Sequence, residues 1–190
     1  MAVDEHHGLA TAAIVMGESG CGAHQAWFTP IIGVVSVVLE PVRPEHAERL
    51  RAFRSSPGVA RWWDPAPAGW PLEADPSLEK LAIVVDGELA GYIQFEEELD
   101  ESARHADVDI FLGPESQDRG LGTEAMRMVV RRLIEERGHH RVTLSTSVDN
   151  ARAIRVYEKV GFRRVGVMRK ASRSHVSGEW EDELLMEYVV

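Results

Sequence analysis

Gln117-Asp118-Arg119-Gly120-Leu121-Gly122-Thr123 stands between an apolar strand and a long amphipathic helix, and that placement restricts the fold more than any other stretch. Before the turn runs Val108-Asp109-Ile110-Phe111-Leu112; after it, apolar residues recur at helical spacing at Leu121, Ala125, Val129 and Leu133. A strand that feeds a glycine-spaced turn and then a helix gathers backbone N–H groups at the positive helix end, where they can cradle a phosphate. Gly120 and Gly122 let the main chain approach a diphosphate with no Cβ in the way. Alone, the motif fits a glycine-rich surface turn before an ordinary helix equally well.

A second segment narrows the choice. Asn150-Ala151-Arg152-Ala153-Ile154-Arg155-Val156-Tyr157-Glu158-Lys159-Val160-Gly161-Phe162 reads as a helix closed by a glycine and followed by a strand. Asn150 and Tyr157 are seven residues apart, so at about 100° per residue they share nearly one face. In this order, the two segments resemble the GNAT superfamily of acetyl-CoA-dependent N-acetyltransferases, over roughly residues 35–190. The resemblance implies acetyl-CoA as cosubstrate, its pyrophosphate held by the turn of Gln117, Asp118, Arg119, Gly120, Leu121, Gly122 and Thr123. It places pantetheine beside Asn150 and Ala153, the acyl carbonyl on the main chain of Ile110, Phe111 and Leu112, and Tyr157 as proton donor to the departing thiolate. Read from the residues alone, Asn150 serves as well as a helix N-cap, and Tyr157 as a half-buried aromatic.

The 190 residues suit one domain with a proper core. A formal charge of −10 excludes the basic face that nucleic acid or an anionic membrane needs, and it suits a cationic substrate. The single cysteine, Cys21, excludes an intrachain disulfide and points to the reducing cytoplasm. No metal site is expected, since the pairs His6-His7 and His139-His140 point neighbouring side chains apart. No signal peptide is expected, since Leu9–Met16 is too weak an apolar run for one, and the longest apolar run, Ile31–Leu39, is too short to span a bilayer. The oligomeric state stays open between monomer and homodimer.

Residues 1–33 lack a sustained period and are expected to be a loosely structured extension ahead of the domain at 34–190. The domain should open with a strand at Val34–Leu39 and a helix from Pro44 to about Phe53, broken by Pro57-Gly58. A hairpin turns at Asp86-Gly87, between strands at Leu81–Val85 and Glu88–Phe95. A strand at Ala106–Leu112, the cradle and a helix to about Arg137 follow. The chain then alternates strand, helix and two closing strands, at Arg141–Ser147, Asn150–Val160, Phe162–Arg169 and Glu183–Val190. Strands first and βα alternation later describe an α/β mixed sheet with helices on both faces. The resemblance specifies it further as the GNAT fold, mostly antiparallel and splayed at the acetyl-CoA site.

Asp109 is the candidate proton acceptor for the amine; the alternative is a polar residue on a solvated strand face. Three features resemble the aminoglycoside 6′-N-acetyltransferases within the superfamily: the Asp109-x-Phe111-Leu112-Gly113 strand, the pair Trp62-Trp63, and a Gly91-Tyr92-x-Gln94 strand after an Asp-Gly hairpin. Trp62 and Trp63 either line a sugar pocket or belong to the core. The run Glu96-Glu97-Glu98 with Asp100, Glu101, Asp107 and Asp109 makes Glu97 and Glu98 candidates for substrate binding, or else a solvated acidic loop. One departure counts against a drug substrate: Leu144–Asn150 lacks the acidic residue and proline that the resemblance places near Ser145. The expected activity is therefore acetylation of a primary amine on a cationic small molecule, foremost the 6′-amine of an aminoglycoside. The alternatives are acetylation of a protein N-terminus or siderophore-type lysine, and a non-catalytic acetyl-CoA-binding module.

Overall fold

In the computed structural model, which describes residues 27–30 and 36–190, the Asp86-Gly87 pair closes its hairpin with positive φ at both residues (51° and 84°), as a two-residue I′ turn requires. It joins β3 (Leu78–Val85) to β4 (Glu88–Glu98), and β5 (His105–Leu112) continues the antiparallel meander. On the other side β3 pairs with β2 (Ser36–Pro41), and β2 with β1 (Trp27–Pro30), both antiparallel. The expected first strand, Val34–Leu39, is described from Ser36 onward. The rest of the expected extension lies outside the described residues, apart from β1.

Beyond β5 the connections become helical. Strands β6 (Arg141–Ser147), β7 (Arg163–Arg173) and β8 (Trp180–Val189) complete an eight-stranded sheet of order β1-β2-β3-β4-β5-β6-β8-β7. Among the described strands only β5 and β6 run parallel, as a strand–helix–strand crossover demands.

Alternation along the strands sends side chains to two cores. Phe95, Val108 and Ile93 face α3 (Leu121–Arg131) and α4 (Ala151–Val160), whose Met126, Val129 and Ile154 complete the larger cluster with Leu133 just beyond α3. Tyr92, Phe111 and Ala82 face the opposite way, onto Leu50 and Phe53 of α1 (Ala47–Arg54) and Val59 of α2 (Pro57–Ala60). The helix expected to reach Arg137 does so, but its last turn, Arg132–Glu136, widens to a π form before Gly138 at φ 72°.

Two features of this frame position the site. Strands β5 and β6 pair only at Ala106↔Val142 and Asp107↔Thr143, so from Val108 onward β5 diverges from its parallel neighbour. The β7–β8 hairpin also runs longer than expected, because Lys170 takes φ 50° and its N–H is accepted by Asp182 Oδ1 at 2.8 Å. That irregularity, between Met168 and Ser172, lets pairing resume at Ser172↔Glu181 and Arg173↔Trp180.

Close approach of β4 to β5 depends on Gly91, where a Cβ would collide with the Phe111 carbonyl oxygen and the Leu112 side chain. Gly91→Ala is expected to destabilise the protein by about 1–3 kcal/mol, since the obstacle is backbone and side chain in a packed sheet. Urea unfolding of the variant beside the parent checks this.

Candidate active site

Divergence of β5 from β6 opens a cleft of about 620 Å³ that runs from the glycine turn, past α4, to the loop after α2. Its floor is the main chain of Ile110, Phe111 and Leu112, which has no strand partner on the β6 side. The side chains of these three residues go to the cores, leaving their backbone as the part that meets a ligand.

At one end, Gly120 (φ 80°) is the N-cap of α3, and the first helical bond runs from Glu124 N–H to the Gly120 carbonyl. The amides of Arg119 to Thr123 make no main-chain hydrogen bond among the described residues, as expected of a helix start. A Cβ at Gly120 would meet nothing within 4 Å, so the space above the turn is open to a ligand. Arg152 reaches over from α4, donating to Gln117 Oε1 at 2.6 Å and lying 3.8 Å from the Asp118 carboxylate. Gln117 Nε2 in turn donates to the Leu112 carbonyl at 3.0 Å, tying turn to strand. Open amides at a helix N-terminus, with an arginine beside them, fit a pyrophosphate.

Helix α4 forms the opposite wall. Asn150 is its N-cap: Oδ1 accepts from Ala153 N–H at 3.2 Å, and Nδ2 donates to Thr146 Oγ1 at 3.3 Å. The capping alternative is thus realised, while Asn150 and Ala153 still line the cleft. Tyr157 also lines it, only 6% exposed and packed on Phe162. Burial, then the negative charge of Asp109, pushes its phenol above the ordinary value of 10.0, so it keeps its proton at neutral pH.

Asp109 opens onto the cleft from β5, where its side chain is accessible to a ligand yet sits among the groups that line the cleft. Desolvation raises its pKa above the usual 3.8, and the nearby charges of Asp107 and Glu183 push the same way. Opposing them are a hydrogen bond from Gln94 Nε2 to Oδ2 (3.0 Å) and the positive charge of Arg54. Gln94 is fixed in turn by Tyr92, whose hydroxyl donates to Oε1 at 2.8 Å. A carboxylate with a raised pKa, held by an amide and facing a cavity, suits proton exchange with an amine.

The far end is aromatic. Trp63 packs edge-on against Phe111 (5.0 Å) and Tyr92 (6.2 Å), so it is both a core residue and cleft wall. Trp62 lines the cleft under the guanidinium of Arg61, 4.5 Å from its ring.

The acidic run divides. Glu97 lies on the opposite sheet face, paired with Ala106 in register, and its carboxylate meets His139 at 2.7 Å and Arg137 at 3.4 Å. Strand alternation from Glu96 sends it there, so the structure does not bring Glu97 to the cleft. Glu98 shares the Asp109 face but sits at the strand end, accepting from Asp100 N–H at 2.9 Å, and it does not line the cleft either. In their place stands Glu183 of β8, which accepts from Ser145 Oγ at 2.6 Å. A carboxylate is therefore present beside Ser145 although the segment itself contributes none. Gln94, Arg54 and Glu183 were missing from the sequence-based site. Two of them had a signal: Gln94 lies two residues beyond Tyr92 in a strand that pairs with Asp109, and Glu183 belongs to the acidic cluster of Glu179, Glu181, Asp182 and Glu183; Arg54 had none.

No group of three or more His, Cys, Asp or Glu able to hold a metal occurs among the described residues, nor is any helix there long and apolar enough to cross a membrane.

A splayed β5–β6 pair, a glycine turn at the start of α3 and a capped α4 make a mixed α/β fold with an open cleft at its centre, and the family match agrees with it. Residues 31–162 match the acetyltransferase (GNAT) family, and the chain belongs to it. Among relatives, the spermidine N(1)-acetyltransferase of Escherichia coli K12 is 24% identical over 160 residues, covering 80% of this chain and 84% of that protein. The aminoglycoside N(6′)-acetyltransferase type 1 of Klebsiella pneumoniae is 34% identical over 107 residues, covering 50% of this chain and 52% of that one. In fold, the spermidine N-acetyltransferase of Vibrio cholerae, solved with CoA and spermine, superposes with a TM-score of 0.70 at 18% identity, over 80% of this chain and 95% of that one.

Proposed function

We propose that this protein transfers an acetyl group from acetyl-CoA to a primary amine of a cationic small molecule. The observation that carries the reading is that Asp109 and Tyr157 line one cleft with Gly120, Gly122 and Thr123 of the turn, whose amides make no main-chain hydrogen bond among the described residues. The turn amides and Arg152 would hold the pyrophosphate, and the main chain of Ile110 to Leu112 the acyl end; acetyl-CoA supplies an activated thioester. Asp109 first pairs with the substrate ammonium, then accepts its proton, directly or through one water. Tyr157 holds a proton on the α4 side of the cleft, available to the departing sulfur. Alignment does much of the work, since fixing amine and thioester together is worth roughly 7–11 kcal/mol.

Two acceptor classes fit the carboxylates of the cleft. An aminoglycoside 6′-amine agrees with the Trp62-Trp63 wall and with the relative from Klebsiella pneumoniae. A polyamine agrees with the Escherichia coli relative, which aligns along 80% of this chain. A panel of kanamycin, spermidine, an amino acid and a peptide N-terminus, read by CoA thiol release, tests the reading. Turnover with either polycation upholds it, and turnover confined to the peptide or amino acid refutes it. Tyr157→Phe is expected to lower kcat by up to about 10²-fold with CoA affinity unchanged, as removal of a general acid should. Stopped-flow thiol release checks this.

A further inference from the structure

A second cavity of about 560 Å³ lies beside the cleft, between α2 and the tip of the β7–β8 hairpin. The two share Arg61, Trp62, Ser174, His175 and Glu181 as lining, so they meet along a common wall. The hairpin tip is a built element. Ser174 N–H donates to the Glu179 carbonyl at 2.9 Å, Gly178 N–H to the Ser174 carbonyl at 2.8 Å, and Arg173 Nε to the Gly178 carbonyl at 2.8 Å. It is joined across the mouth by His175 Nδ1, 3.1 Å from Asp64 Oδ1. Asp64 is anchored in turn through its carbonyl, which accepts from Arg54 Nε at 2.8 Å.

Carboxylates lead from the reaction centre into this second space. Asp109 and Glu183 both line the cleft, and the charge of Glu183 reaches Asp109. Glu181 lies two residues from Glu183 on β8, about 6.6–6.8 Å along the strand, and lines both cavities. Neither Glu181 nor Asp149, deeper in the second cavity, makes an ion pair among the described residues. The arginines nearby are engaged, Arg61 over Trp62 and Arg173 in the hairpin turn, and the His175 ring meets Asp64.

We infer that the second cavity is a distal acceptor subsite, in which Glu181 receives a second ammonium of a multi-amine substrate while the reacting amine sits at Asp109. The inference rests on the amine-acetylating reading above. Glu181 lies about 6.6–6.8 Å along β8 beyond Glu183, whose charge reaches Asp109, so the second amine must stand several bonds from the reacting one. The His175–Asp64 bridge limits how the intervening chain passes.

The test compares hexylamine, 1,6-diaminohexane and kanamycin as acceptors for the full-length protein and for Glu181→Gln. In the parent, the diamine should show a KM roughly 3- to 10-fold below that of hexylamine, the gain expected of one charge-assisted contact. Glu181→Gln should raise KM by a similar factor for the acceptor that uses the subsite, leaving kcat and the hexylamine KM unchanged. An effect on the diamine alone identifies a linear polyamine, and one on kanamycin alone a ring-borne amine. Continued acetylation with both multi-amine KM values insensitive to Glu181→Gln overturns the subsite, as does an equal rise for hexylamine. No transfer to any amine overturns the functional reading beneath it.

Discussion

Valine at both Gly120 and Gly122 should remove measurable CoA binding while leaving the protein folded. A Cβ at Gly120 meets no protein atom within 4 Å, and one at Gly122 comes only to 3.5 Å from Leu112 Cδ1, an ordinary contact. Overpacking is therefore not the cause. The harm is done in the space above the turn, where a diphosphate must approach the amides of Arg119 to Thr123. Gly120 adds a backbone cost, since φ 80° disfavours a side chain by about 1–2 kcal/mol. Loss of several charge-assisted hydrogen bonds should raise the Kd for CoA at least about 100-fold, or about 2.7 kcal/mol. Gly138→Val is the control: it has the same left-handed backbone (φ 72°) and open surroundings, but lies outside the cleft. Calorimetric titration with CoA should find binding intact in the control and absent in the double variant. Unchanged affinity in a folded double variant refutes the cradle.

The parts of the fold that local chemistry dictates were legible in the sequence. Asp86-Gly87 fixes a hairpin because two successive positive φ values leave little else open to it, and Gly161 (φ 119°) stops α4 for the same reason. Long-range geometry was not legible. The longer β7–β8 hairpin depends on Asp182 accepting from Lys170 N–H across the strand pair, a bond with no local signature.

The site divides along the same line. The glycine turn and the shared face of Asn150 and Tyr157 were legible because backbone freedom and helical phase are local, and Gly120, Gly122, Asn150 and Tyr157 line one cleft. The acidic run was read as a block, yet strand alternation splits it, sending Glu97 to His139 and Arg137 on the far face. Glu183 illustrates the converse. It arrives at Ser145 from a strand that is distant in sequence and adjacent only through the β6–β8 pairing.

Asp109→Asn should lower kcat by about 10²- to 10⁴-fold, the range over which a positioned proton acceptor contributes, with the Kd for CoA unchanged. The substitution keeps size and the Gln94 contact within reach, so loss of rate reports loss of basicity. The pH profile makes the assignment sharper. Only the ionised carboxylate accepts a proton, so activity of the parent should fall as pH drops through the Asp109 pKa, which burial, Asp107 and Glu183 raise above 3.8. Gln94 donates to the ionised form and holds that pKa down, so Gln94→Leu should move the acid limb to higher pH. Glu183 acts oppositely through its charge, so Glu183→Gln should move the limb to lower pH. Opposite shifts, one from a hydrogen-bond donor to the carboxylate and one from a nearby negative charge, are not expected of any other titrating group in the cleft. A limb that stays fixed in both variants means that Asp109 is not the base, leaving catalysis to alignment and to Tyr157.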